Sequence, residues 1–293
     1  QLDLALSKES LANARLVADP EALAGLKERF SFQYPHAALK GLYTKTTVSE
    51  LKIAAMSEKD EAAFHAFEER ETESYVPEFR RSGREITGTV RGNAYHRVME
   101  LMDFVGVYGR AVQMGSMEQT KDTETERTVA GMLPDSYEAF QKTIADAEFK
   151  RSIEEFLASQ VKALRLSEEY RSAVRIDKIC EFLKTELGYR MLRAQAQGRL
   201  WREQPFVLSI PATRLKEGFP SEETVLIQGI IDAYFIEEDE IVLLDYKTDS
   251  VESMDALWTR YGTQMDHYQE ALQRLTGKNV KKKILYSFSL GKY

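Results

Sequence analysis

The chain has 293 residues, 43% of them hydrophobic, enough to bury a sizeable core as one large domain or two small ones. A formal net charge of -7 excludes a protein that holds nucleic acid by bulk charge, so any polyanion must be met by a local groove or through metal. The single cysteine, Cys180, excludes an internal disulfide, a cysteine-rich zinc site and a four-cysteine iron–sulfur cluster, and it predicts a reducing, intracellular setting. No apolar run approaches the roughly 20 residues that cross a bilayer and no signal peptide opens the chain, which predicts a soluble protein.

The sequence starts at Gln1 in mid-pattern, as a piece cut from something larger would. Residues 1 to 45 read as a peripheral arm, with a helix starting at Asp19-Pro20 and an apolar stripe of Leu23, Leu26 and Phe30. Thr47-Val48-Ser49-Glu50 fits a capping box that opens a short helix through Leu51, Ile53 and Met56. Ser57 to Ser74 is dominated by charge, with Phe64 and Phe67 on one face, and reads as a solvated helix. Pro77, Gly83 and Gly88 make 75 to 91 a connection.

A broad amphipathic helix is predicted from Gly92 to about Val105, through Ala94, Tyr95, Val98, Met99, Leu101 and Met102. His96 sits at the border of its apolar face, either as a hydrogen-bonded structural residue or as a ligand. Gly106 to Pro134 turns Gly-, Met- and Thr-rich and predicts a long loop or insertion. Helical scaffold follows over Ser136 to Phe149, Ser152 to Leu164, Ser167 to Leu187 and Tyr189 to Gln197, with Ser167 a cap and Cys180 on a buried face.

From Arg199 the composition shifts to strands. Leu200 to Leu208 reads as a strand interrupted by Pro205, and its Glu203 is either a surface acid or a third carboxylate for the hairpin that follows. That hairpin, Val225 to Ile236 and Ile241 to Thr248, turns at Glu238-Asp239. Counting outward from Glu237 against Glu240 puts Asp232 opposite Asp245. Opposed like charges weaken a sheet, so the acids either point to solvent near a sheet edge or are neutralised by a hard divalent cation, and the apolar residues that flank Asp245 on both faces favour the cation. Lys247 lies on the same face as Asp245 by the period of two. Ser253 to Leu275 forms a helix with the stripe Met254, Leu257, Tyr261, Met265, Tyr268, Leu272 and Leu275, and Gln264 shares a face with Tyr268. Tyr268 is either core packing or part of a site. Val280 to Leu290 is a last strand, whose Lys281, Lys282 and Lys283 either guard an edge or touch a phosphate backbone. The expected organisation is an arm and linking helices over 1–90 and a second domain over 91–293, helical to 198 and sheet-based from 199. The fold class is α/β, a mixed central sheet flanked by helices with a large helical N-terminal portion.

Strand, Asp, hairpin, Asp-x-Lys, then helix is the core of the restriction-endonuclease-like PD-(D/E)xK nucleases. Five blocks in order, Gly92-Asn93-Ala94-Tyr95-His96, Trp201 to Phe206, Gly229-Ile230-Ile231-Asp232, Leu244 to Thr248 and Gln264 to Tyr268, resemble the C-terminal nuclease domain of the RecB/AddA helicase-nucleases, the AddA branch above all. The resemblance implies that His96, Asp232, Asp245 and the Tyr246 carbonyl bind Mg²⁺ or Mn²⁺. It implies that Lys247 is the catalytic lysine, that Gln264 and Tyr268 line the site, and that Glu203 is the acid of the preceding strand. It also implies a cytoplasmic bacterial DNA exonuclease acting in recombinational repair, fed a single strand from an unwound duplex end and joined to an AddB-type partner. The cysteine ligands of the iron–sulfur members are absent, as is a G-x-x-x-x-G-K-[ST] loop, so ATP use is expected only in a preceding helicase part. The other readings are a catalytically silent DNA- or subunit-binding domain and a stand-alone phage-type nuclease.

Overall fold

The computed structural model describes residues 20–32, 34, 36–51, 87–117, 133–143, 145–215 and 218–293. In chain order these form α1 (Pro20–Ser31), β1 (Lys45–Thr47), α2 (Gly88–Leu101), α3 (Phe104–Met117), α4 (Tyr137–Thr143) and α5 (Asp146–Lys162). They continue through α6 (Glu168–Ala173), α7 (Ile176–Leu183), α8 (Glu186–Ala196), β2 (Leu200–Pro211), β3 (Thr224–Glu237), β4 (Glu240–Lys247), α9 (Met254–Thr276) and β5 (Val280–Ser287). Two compact units are distinguished. Among the described residues, one combines those up to Tyr43 with those of Pro211–Thr224; the other combines those of Thr44–Ile210 with Val225–Tyr293. Within the first, Leu26 and Phe30 of α1 are exposed rather than packed.

The second unit is built on a five-stranded mixed sheet in which β1, β3, β4 and β5 lie in that order and β2 also pairs with β3. The β3–β4 hairpin has the expected register, Glu237 against Glu240 through Ala233 against Leu244. Its two-residue turn is Glu238-Asp239, both at positive φ, 49° and 69°, the signature of the primed turn that suits a twisted hairpin. β4 runs parallel to β5 on its other side and is buried from Ile241 to Lys247, because it has a neighbour on both edges and helices on both faces. One face, with Ala233, Phe235, Val242, Leu244, Tyr246, Ile284 and Tyr286, packs on helices α2, α3, α5, α7 and α8 in a single apolar cluster. Along β4 the side chains alternate, so Asp245 and Lys247 belong to the other face, the one packed by α9.

Several boundaries differ from the sequence-based expectation, each for a local reason. The helix carrying His96 begins at Gly88, because Thr87 caps it by accepting the Val90 N–H. The loop expected from Gly106 is helical as far as Met117: Asp103 accepts the Gly106 N–H, and Val107, Tyr108 and Ala111 are buried. Gly106 suits this start because a Cβ there would collide with the Asp103 carboxylate. Ser152 does not open a helix; it lies inside α5, where its hydroxyl donates to the Val107 carbonyl. Ser167 does cap, but α6 is short, and the expected long helix is broken at Val174 and again at Thr185, which caps α8. β1 was not anticipated; it pairs with β3 in parallel and leads into the predicted capping box, where Thr47 and Glu50 exchange hydrogen bonds. Burial pushes the Cys180 thiol up to about 11, as its core position requires. Ile53 and Met56, the Ser57 to Ser74 helix, Pro77 and Gly83, and the 118–132 part of the expected insertion lie outside the described residues.

Candidate active site

The hydrogen-bonded hairpin ladder stops at Ala233 against Leu244, one step short of Asp232 and Asp245. There the Asp232 carboxylate takes over as acceptor, receiving the Tyr246 main-chain N–H at 2.8 Å. Asp232, Asp245 and Lys247 are 8%, 1% and 8% exposed, so three ionisable groups meet in a largely dry floor. Lys247 approaches Asp245 Oδ2 to 2.6 Å at an angle that leaves this oxygen without a directed hydrogen bond. Asp245 Oδ1 accepts from Gln264 Nε2 at 3.2 Å, and the same amide nitrogen reaches the Tyr268 hydroxyl at 2.8 Å. α9 therefore presents Gln264 and Tyr268 to the carboxylate from one face, after a start capped by Ser253.

Two further elements complete the group. His96, on α2, sets Nδ1 3.2 Å from Asp232 Oδ2. Glu203, on β2, has a φ of 47°, left-handed backbone that costs a non-glycine residue about 1–2 kcal/mol. The in–out alternation of β2 is present only from Phe206 onward, beyond that kink, and residues 200–204 are uniformly half-buried. Ligand atoms of His96, Glu203 and Asp232 all lie within 4.8 Å of one another. Of the expected ligands, His96 and Asp232 are thus together, and Glu203 rather than Asp245 is the third group within that radius. Tyr246 contributes its N–H to Asp232, while its ring is buried against Phe182 and Phe288.

The electrostatics follow from burial among like charges. Burial pushes the Glu203 carboxyl up to about 7, with the Asp232 charge adding to it. Burial likewise raises Asp245, more than Lys247 lowers it. For Asp232 burial is outweighed by the His96 hydrogen bond and charge, and its pKa falls below the ordinary range. Burial lowers His96, but Asp232 more than offsets it and holds the imidazole above its usual value.

A cleft of about 990 Å³ opens on this cluster, lined by His96, Glu203, Tyr268, Phe206, Gln228 and Ile230 among others. Gly229 permits its wall, because a Cβ there would sit 2.7 Å from Phe206 Cε1. Phe206 in turn meets Tyr268 edge to face at 5.6 Å, so Tyr268 is both packing and wall. Lys281 and Lys283 of β5 pair with Glu238 and Asp266, which leaves them at the sheet edge rather than in the cleft.

The sequence of this site matches the PD-(D/E)XK nuclease superfamily over residues 70–291. The chain belongs to that family. The nuclease class and the mixed sheet expected from the sequence stand with it. Among curated proteins it is similar to the ATP-dependent helicase/nuclease (A-type subunit) of Lachnoclostridium phytofermentans, at 29% identity over 91% of this chain and 22% of the relative. It is also similar to the proteins of that name from Clostridium botulinum Type Ba4, 29% identical over 98% of this chain and 19% of the relative, and Type A Hall, 30% identical over 91% and 18%. The chain spans about a fifth of the length of these relatives. No helix among the described residues is long and apolar enough to cross a membrane.

PD-(D/E)XK nucleases use divalent metals, and the residues of this nuclease fit one. Two carboxylates and an imidazole converge within ligand reach of a common point, and a buried Asp245 oxygen lacks a directed donor. Two residues near the site were not assigned a role from sequence. Tyr261, read as stripe, lies over Lys247; its place three residues before Gln264 and seven before Tyr268 was the available signal. Arg202, inside the Trp201 to Phe206 block but given no role there, holds β2 to α2 by donating to the Met99 and Met102 carbonyls.

Proposed function

We propose that this chain is the nuclease module of a helicase–nuclease, hydrolysing DNA phosphodiester bonds with Mg²⁺ in the processing of double-strand ends. The observation that carries this reading is the convergence of His96, Glu203 and Asp232 on the floor formed by Asp245 and Lys247. The relatives' name, which makes each of them one subunit of an ATP-dependent helicase/nuclease, supports a DNA substrate, a motor in the same polypeptide and a partner of the AddB type. A strand delivered by a tethered motor also suits a chain of net charge -7.

His96, Asp232 and Asp245, with Glu203 beside them and the Tyr246 carbonyl at the strand end, would hold the metal. When bound, the ion polarises the scissile phosphate and acidifies a water. Lys247 contributes N–H donors that orient the water and offset charge on the phosphoryl oxygens as it builds. The water oxygen attacks phosphorus in line and gives up a proton to solvent, the opposite P–O bond breaks with its electron pair, and the departing oxygen takes a proton from solvent. Gln264 holds Asp245 from behind, and Tyr268 keeps Gln264 in place. The test is hydrolysis of end-labelled single-stranded DNA in Mg²⁺ beside Asp245→Ala; activity that survives the substitution would sink the assignment.

A further inference from the structure

The Lys247 ammonium has two neighbours of opposite kind. Asp245 Oδ2 lies 2.6 Å away, and the ring of Tyr261 lies under the nitrogen at 4.2 Å from its centroid. Tyr261 is 7% exposed and sits on α9 one turn before Gln264, on the face that also addresses Asp245. Its hydroxyl donates to Asp249 Oδ2 at 2.9 Å. Asp249 is itself held, since its main-chain carbonyl accepts from Ser289 Oγ at 2.7 Å and its other carboxylate oxygen faces Arg260 at 3.3 Å. The ring is thus tethered at its outer end, and its face is turned to the lysine.

We propose that Tyr261, oriented by Asp249, is a positioning residue for the Lys247 ammonium in the hydrolytic reaction. The proposal rests on the reading of Lys247 given above. An ammonium carries three N–H donors, and a buried one must be neutralised or stabilised. A second carboxylate would do so by consuming a donor and cancelling charge. A ring face attracts the charge through its quadrupole without taking a directed proton. It therefore fixes the nitrogen while leaving N–H groups for a water or a phosphoryl oxygen. Asp245 and Tyr261 bracket the ammonium from two sides, one through its carboxylate and one through a surface that forms no competing hydrogen bond.

The test is single-turnover and steady-state hydrolysis of single-stranded DNA by the full chain. Tyr261→Leu removes the ring and lowers kcat about 10- to 100-fold, the scale of loss from misplacing a reacting group, with KM for DNA and the calorimetric affinity for Mn²⁺ held within about twofold. Tyr261→Phe keeps the ring and recovers most of that loss. Asp249→Asn leaves the ring but loosens its anchor and gives an intermediate loss in kcat, so the test stands even where Tyr261→Leu does not fold. In a Lys247→Ala background Tyr261→Leu has no further effect, the non-additivity of a pair acting as one. A loss for Tyr261→Phe as large as for Tyr261→Leu, a change carried by KM, or a full additional loss in the Lys247→Ala background overturns the proposal. Hydrolysis unaffected by Lys247→Ala instead overturns the assignment of the lysine, whatever Tyr261 does.

Discussion

Asp232 Oδ2 accepts the main-chain N–H of Tyr246 at 2.8 Å at the point where the β3–β4 ladder ends. One oxygen therefore serves as a backbone acceptor and as the partner of His96. Asp232→Ala orphans a buried N–H and is expected to destabilise the chain by about 2–4 kcal/mol, whereas Asp232→Asn keeps an acceptor and costs about 1 kcal/mol. The His96 part of the loss has a definite pH sign. A raised imidazole pKa adds stability that is complete below about 6.5 and fades as pH rises through the folded value, while Asp232, lowered, stays ionised throughout. Urea unfolding should show a larger gap between wild type and Asp232→Ala at pH 6 than at pH 8.5; equal gaps would remove His96 from the account.

Metal affinity should rise with pH. A cation competes with protons on Glu203, pushed up to about 7, and on His96, held above its usual value. Calorimetry with Mn²⁺ should show proton release below pH 7 and tighter binding above it. An imidazole among the donors favours Mn²⁺ over Mg²⁺. Glu203→Gln is expected to weaken Mn²⁺ by more than the roughly 10- to 100-fold that loss of an outer partner costs. A pH-independent affinity in the wild type would exclude Glu203 from the ligand set.

Gly229 is required by Phe206 rather than by its backbone. Gly229→Ala places a methyl 2.7 Å from Phe206 Cε1 and 3.1 Å from Val48 Cγ2, an overpacking expected to cost about 1–3 kcal/mol. Displacing Phe206 also disturbs its edge-to-face contact with Tyr268. Thermal unfolding and hydrolysis rate should therefore fall together, and Phe206→Leu should restore part of both in the Gly229→Ala background.

The hairpin turn is under mild strain. Glu238 and Asp239 both adopt positive φ, where asparagine and glycine are at ease. Their ion pairs with Lys281 and Lys278 are exposed and hold the turn little. The pair of substitutions Glu238→Asn and Asp239→Gly is expected to raise stability by about 1 kcal/mol without altering Mn²⁺ affinity. A drop in stability on urea unfolding would mean that the lysine pairs matter more than the backbone.

The hairpin was legible because its register follows from counting: a two-residue turn and an apolar strand fix each pair from Glu237 against Glu240 to Ala233 against Leu244, and the ladder ends one step before the expected pairing of Asp232 with Asp245. The Thr47 and Ser167 caps and the α9 stripe were readable for the same reason, since each is a local rule satisfied by neighbours. What escaped depends on distant partners. Glycines at 106, 109 and 115 resemble loop composition, yet Asp103 and a buried face make α3 a helix. Residues 167–187 keep an apolar period through two breaks because the helices on either side of each break feed the same apolar cluster. Glu203 was a candidate acid from the sequence, but the positive φ at its position is announced by no residue type, and Tyr261 looked apolar because most of its ring is.

Arg202 stands next to Glu203, and the carbonyls it grips, Met99 and Met102, close the helix that carries His96. Two donors drawn from separate elements are in this way mounted on a single bracket. If both are ligands as proposed, their spacing is set when the chain folds, and a cation would meet a gauge of fixed width. Selection among ions by size would then reside in an arginine that touches none of them.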